Sequence, residues 1–310
     1  MFNKQILSFL IIIIIYLTNV NLNSQTADQY FLNAFSKYIA GDMLAAIKEY
    51  TKAIKLKNDY VDAYFNRAVI YDKMGKTKLA IKDYSKIINL NNNVKEAYLN
   101  RAIDYKLLGK FKKSLADLNK FIQINDSSPI GYFKRGNLYY EIKQYENAIN
   151  DFQKITQLYP SYYPIYIEIG KTYEQMGEYE AAIFAYTKLL NNDPVNVKAY
   201  YARAYNFDII GKRAQAINDY TMVVQLDTTF VDAFFNRGLI YDLMGEYEKA
   251  ISDYSKVIAL DPKAIDAWFN RGIAQLNIGR KKLACYDIKQ AASLGDKKAK
   301  RLAKKLNCCK

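Results

Sequence analysis

Arg67 and Asp83 stand sixteen residues apart, and the couple recurs as Arg101 with Asp117, Arg135 with Asp151, Arg203 with Asp219, Arg237 with Asp253 and Arg271 with Asp287. A guanidinium facing a carboxylate at fixed spacing makes a bidentate ion pair, chemistry that fixes structure rather than turning over a substrate. Where the Arg is replaced by Ile169, the acid is replaced by Ala185. Pairing each Arg with the preceding acid instead would oppose Asp151 to Ile169 and Ala185 to Arg203. The same-repeat couple is therefore the better account.

A second set immediately precedes these arginines: Phe65 and Asn66, Leu99 and Asn100, Phe235 and Asn236, Phe269 and Asn270, with Phe133 and Lys134, Ile167 and Glu168, and Tyr201 and Ala202 as variants. Aromatic faces can stack on a ligand. An Asn amide offers a donor and an acceptor together, which suits the backbone of an extended peptide whatever its side chains. Phe65, Asn66, Asn100, Phe133, Tyr201, Phe235, Asn236, Phe269 and Asn270 are therefore candidate ligand-binding residues. The divergent Lys134, Glu168 and Lys171 would supply specificity. The competing reading is that the rings pack on neighbouring helices and the Asn residues are neutral polar filler.

Catalytic chemistry finds little to work with. The sequence has no His, so histidine acid–base catalysis, Ser-His triads and His metal ligands are excluded. No Gly-rich phosphate loop or metal-ligand cluster occurs, so an enzyme is not expected, nor any cofactor or metal.

The positioning elements follow from a period of 34 residues. Val231 to Ala264 and Val61 to Val94 are identical at 19 of 34 positions, and every 34th residue from Tyr30 to Trp268 is aromatic. Eight units follow without insertion, at 27–60, 61–94, 95–128, 129–162, 163–196, 197–230, 231–264 and 265–298. Each carries two apolar stripes at helical spacing, such as Tyr64, Ala68 and Tyr71, then Ala80, Tyr84 and Ile87. Rings opposite Ala or Gly allow two antiparallel helices to approach closely. Between them stands Gly41, Gly75, Gly109, Gly177, Gly211, Gly245 or Gly279, with Lys143 the exception, where a left-handed residue would end the first helix. A short period of this kind marks units that bury their apolar faces only against their neighbours.

Aromatic, then Gly or Ala, then Tyr, then Ala, then aromatic, then Pro at this spacing resembles the tetratricopeptide repeat, whose pattern runs W-x2-L-G-x2-Y, A-x3-F and P. The resemblance covers Ala27 to Lys298. Trp occurs only at Trp268, the usual Leu is mostly Arg, and Lys37 and Gln275 replace Tyr in the terminal units. The resemblance implies an all-α fold, an α-α solenoid in a right-handed superhelix, acting as a protein-interaction scaffold through a concave groove lined by the first helices. Relatives that clamp a chaperone's terminal carboxylate use a Lys and an Asn four apart in one first helix. The position that would hold that Lys never does so here, so the clamp is absent.

Composition and charge set the context. With 51% hydrophobic and 25% charged residues the chain reads as folded rather than disordered. Net charge is +14, but much of it sits in 296–310, so the array is only mildly basic and nucleic acid is not an expected partner. Residues 1–24 carry one Lys, an apolar run of about a dozen residues and a polar exit, matching a secretory signal peptide cut after Ser24. The alternative is an uncleaved anchor, the one case in which a membrane would be a partner. The expected location is therefore outside the cytoplasm, secreted or in the periplasm or cell envelope. The expected partner is a protein or peptide, with an envelope glycan as the alternative. At the C-terminus, Ala299, Leu302, Ala303 and Leu306 form a narrow stripe in a basic capping helix within 296–310. Cys285 stands where other units have Ile or Leu and reads as a small core residue, while Cys308 and Cys309 could join two chains.

Overall fold

Two stripes per 34 residues become two helices per 34 residues. A computed structural model of the chain describes residues 25–308; the expected signal peptide and Cys309 lie outside them. Among the described residues there are seventeen α-helices and no strand. They are α1 (Ala27–Ile39), α2 (Met43–Leu56), α3 (Val61–Lys73), α4 (Thr77–Leu90), α5 (Lys95–Leu107), α6 (Phe111–Ile124), α7 (Pro129–Glu141), α8 (Tyr145–Leu158) and α9 (Ile165–Met176). There follow α10 (Tyr179–Leu190), α11 (Val197–Ile209), α12 (Arg213–Leu226), α13 (Val231–Leu243), α14 (Tyr247–Leu260), α15 (Ile265–Asn277), α16 (Lys281–Ser293) and α17 (Lys297–Lys305). The chain divides into two compact units, one up to Leu138 and one from Tyr139, the division falling inside α7.

Within the first unit α1 packs on α2, α3 on α4 and α5 on α6, and the second helices α2 and α4 pack on the next first helices, α3 and α5. The second unit repeats the scheme from α8 to α16 and adds α17 against α16. This is the helical-solenoid arrangement, in which every apolar face is closed by a neighbour.

The core of each pair is a ring laid against a small residue. Tyr50, Tyr84, Tyr186, Tyr220 and Tyr254 are buried on the second helices, and the facing first-helix position is Ala or Gly. Each ring buried this way contributes about 2 kcal/mol or somewhat more. Clearance is smallest at Gly170, where a Cβ would stand 2.5 Å from the Tyr186 ring.

The turn after each first helix is left-handed. All seven glycines of that column have φ between 68° and 85°, and Lys143, in the fourth unit's equivalent place, adopts φ 61° despite its side chain. The backbone demands the conformation and Lys143 meets it at a cost.

At the C-terminal end Asp296 caps α17 by accepting from the backbone of Lys298 and Ala299. Ala299 and Ala303 are buried against Ile288 and Ala291, leaving the lysines outside. The cysteines depart from expectation. Cys285 is not a plain core residue, and Cys308 pairs with it inside the chain, at a Cα separation of 5.2 Å. The reason is local: α17 ends in a left-handed turn at Asn307, φ 52°, and the Cys308 amide bonds back to the Ala303 carbonyl at 3.0 Å. That turn aims the Cys308 thiol at α16.

Candidate functional site

The arginines sit in three-way junctions. Arg67 Nε and Nη2 donate to the two carboxylate oxygens of Asp83, both at 2.8 Å, while Nη1 donates to Thr51 Oγ1 on the preceding second helix at 2.8 Å. Arg101 does the same with Asp117 and Ser85, Arg203 with Asp219 and Thr187, Arg237 with Asp253 and Thr221, and Arg271 with Asp287 and Ser255. Arg67 and Asp83 side chains are 13% and 4% exposed, so these pairs are desolvated, and removing one partner alone would leave a buried charge. Rings flank the guanidinium as well: Arg67 lies 5.5 Å from the Tyr64 ring centroid and 5.9 Å from that of Tyr71. Arg135 donates to Asn119 Oδ1 at 2.6 Å in the first unit, and Asp151 is buried in the second. The hydroxyl column, Thr51, Ser85, Thr187, Thr221 and Ser255, escaped the sequence reading. Its signal was there in a period-34 column of Ser and Thr.

The candidate ligand-binding face is more committed to the fold than its sequence suggests. Phe65 and Phe235 are half-buried and meet the buried Tyr84 and Tyr254 rings at 5.9 Å, and Tyr201 meets Tyr220 edge-on at 5.7 Å. Phe133, Phe269 and Asn270 are half-buried too. Asn100 Nδ2 donates to the Tyr84 hydroxyl at 3.2 Å. Asn236 Nδ2 reaches the hydroxyls of Tyr201 at 3.0 Å and Tyr220 at 3.4 Å, and Asn66 Nδ2 bonds back to the Asp62 carbonyl at 2.9 Å. One amide donor of Asn66 and of Asn100 is therefore engaged inside the protein, and Asn236 directs its amide nitrogen at two acceptors. Glu168 and Lys171 form an i,i+3 pair at 3.4 Å on the surface of α9. Lys134 lines a cavity of about 220 Å³ between α5 and α7, with Lys106, Ile103 and Leu107.

Between neighbouring first helices lies a set of polar groups that the sequence reading missed. Tyr84 Oη donates to Asp72 Oδ2 at 2.7 Å, and Asp72 lies beside Asp104 of the next first helix. Asp104 is 3% exposed; burial, together with the Asp72 charge, pushes its carboxyl up to about 8. Asp72 is raised as well, again by burial. Asp72 Oδ1 and Asp104 Oδ2 are buried oxygens without another partner, so a proton held between them would satisfy both. In the second unit Tyr186 Oη donates to Glu174 at 3.0 Å, and Asn206 takes the place of Asp104, its Nδ2 donating to the same carboxylate. An amide there does permanently what a proton does at Asp104. The signal was a column divided between apolar Ile70, Leu138, Ile240 and Ala274 and polar Ser36, Asp104, Thr172 and Asn206, in which Asp104 alone carries a carboxyl.

Comparison with known proteins agrees with this geometry. A family pattern described as tetratricopeptide repeat matches residues 61–93, 129–162 and 231–264. A second described as TPR repeat matches 36–75, and a further tetratricopeptide repeat pattern matches 163–196. Together they span more than half of the chain. No curated protein sequence matches. Among solved structures, MamA is 30% identical over 56% of this chain and 94% of its own, with a TM-score of 0.52. The C-terminal part of a TPR repeat-containing protein from Cytophaga hutchinsonii is 21% identical over 76% and 98%, with a TM-score of 0.68. YrrB, described as a TPR protein with an unusual peptide-binding site, is 21% identical over 59% and 95%, with a TM-score of 0.51. With its helix pairs, its glycine turns and these matches, the chain belongs to the tetratricopeptide repeat family.

Proposed function

We propose that the chain is an exported, non-enzymatic interaction scaffold that binds an extended protein segment along the exposed faces of its first helices. Members of the family bind protein or peptide partners, and YrrB carries a peptide-binding site by its description. The observation that carries the reading here is the state of the Asn side chains. Asn66, Asn100 and Asn236 are each anchored in the fold through the amide nitrogen. An anchored amide has a fixed carbonyl direction, and at Asn66 and Asn100 a second N–H, so it meets a peptide backbone without first being ordered. Phe65, Phe133, Tyr201, Phe235 and Phe269 beside them would supply contact area, and Asn270 continues the row. Lys134, Glu168 and Lys171 would choose among partners by charge.

Export rests on the signal-like 1–24 segment and on the Cys285–Cys308 disulfide, a bond that persists in oxidising compartments. The test is affinity capture from an envelope fraction with wild-type protein beside the Asn236→Ala, Asn270→Ala variant, with melting temperatures measured on both. The expected result is protease-sensitive captured material that is lost from a variant that is still folded. Equal capture by both would remove the Asn role. Captured material that resists protease and disappears with a glycosidase would favour the second reading, envelope glycan handling, which the row of half-buried rings supports.

A further inference from the structure

The fifth repeat lacks the Arg–Asp couple, and its absence leaves space. In other repeats the guanidinium lies between two rings, as Arg67 and Arg237 do and as Arg203 does with Tyr200 and Phe207 at 5.6 and 5.8 Å. In the fifth repeat the corresponding rings, Tyr166 and Tyr173, are retained, but Ile169 and Ala185 replace the ion pair and a cavity of about 300 Å³ opens among α8, α9 and α10. Gln153, in the column that supplies Thr, Ser or Asn to the arginines, lines one side. Phe184 stands at the mouth, 62% exposed, where the first two units have Lys48 and Lys82. Lys188 lies over the Phe184 ring at 5.2 Å, and the lining itself holds no ionisable carboxylate or amine.

We propose that this vacated slot is a second binding site, separate from the first-helix face, and that its ligand is a neutral sugar ring. The chemistry of the walls selects the class. A partner's arginine would find the two rings but no carboxylate, and a desolvated guanidinium without an anion is unfavourable. A purely apolar side chain would make no use of the polar wall formed by Gln153, Thr156 and Gln157. A pyranose satisfies both kinds of wall: its C–H faces lie on Tyr166, Tyr173 and Phe184, and its equatorial hydroxyls exchange hydrogen bonds with an amide that is both donor and acceptor. The site does not depend on the Asn row, so failure of either leaves the other standing.

The test uses the full chain, with cellopentaose and chitopentaose as probes, followed by saturation-transfer NMR and titration calorimetry. N-acetyl-argininamide and N-acetyl-tyrosinamide serve as competing chemistries. One of the two oligosaccharides should bind, and Ile169→Arg with Ala185→Asp, which rebuilds the pair and fills the slot, should abolish that binding. Phe184→Ser, at an exposed position that folding does not need, should weaken it by about tenfold, the scale of losing one aromatic contact. Binding of neither oligosaccharide, undiminished binding by a folded double variant, or unchanged binding by Phe184→Ser would overturn the site. Preferential binding of either amide would overturn the ligand class.

Discussion

Arg237→Ile removes a guanidinium from a junction of three partners and leaves the buried Asp253 with a charge and no counter-ion. The expected loss is about 3 kcal/mol or more in denaturant unfolding. Adding Asp253→Ala reproduces the pairing of Ile169 with Ala185 found in the fifth repeat, and should restore much of that loss. Additive losses would show that the pair does not act as a unit. Asp104 gives a second residue-scale expectation, with pH as the variable. An unfolded Asp titrates near 3.9, whereas Asp104 in the folded chain is pushed up to about 8, so folding takes up a proton between those values. Stability from this group is complete below about 4 and is lost as pH rises through about 8. Melting temperature should accordingly fall from pH 5 to pH 8, and Asp104→Asn, which copies Asn206, should flatten that slope. A slope that survives Asp104→Asn would place its origin elsewhere.

At the scale of the element, the helix pair is fixed by where backbone and ring leave no choice. Lys143 holds φ 61° at a turn where the other units have Gly. Lys143→Gly should therefore raise stability by about 1 kcal/mol, since the left-handed penalty of a side chain is removed. Gly170→Ala should do the reverse, losing about 1–3 kcal/mol as its methyl meets the Tyr186 ring, which cannot move aside in a closed pair. These elements were legible in sequence because a period of 34 superimposes every turn and every ring on the next. Helix order, glycine turns and the small residues under the tyrosines all follow from columns. What escaped were relations between columns. Thr51 bonds Arg67 from a different unit, and Asp72 meets Asp104 across two first helices, contacts set by the offset of stacked pairs rather than by spacing within one unit. The Asn row was visible as a row, but the inward turn of Asn100 and Asn236 onto tyrosine hydroxyls depends on side-chain geometry that a pattern does not contain.

At the scale of the whole molecule, an array stabilised by nearest neighbours is weakest where a neighbour is missing, and its last helix must be closed by something other than another repeat. Here α17 closes α16 with only a two-alanine stripe and flanking Leu302 and Leu306, a small apolar area for a helix carrying so many cations. The Cys285–Cys308 bond compensates by removing freedom from the unfolded end: a crosslink spanning 23 residues contributes about 3 kcal/mol in the loop-entropy account. That contribution is local, because the bond touches only α16, α17 and the turn between them. Cys308→Ser, or reduction of the wild type, should therefore release the protection of α16 and α17 amides in hydrogen exchange first, while α11 to α14 of the same unit keep theirs until global unfolding. A uniform loss of protection across α8 to α17 would mean that the cap and the repeats unfold as one cooperative block. In that case the disulfide would stabilise the whole second unit rather than its end.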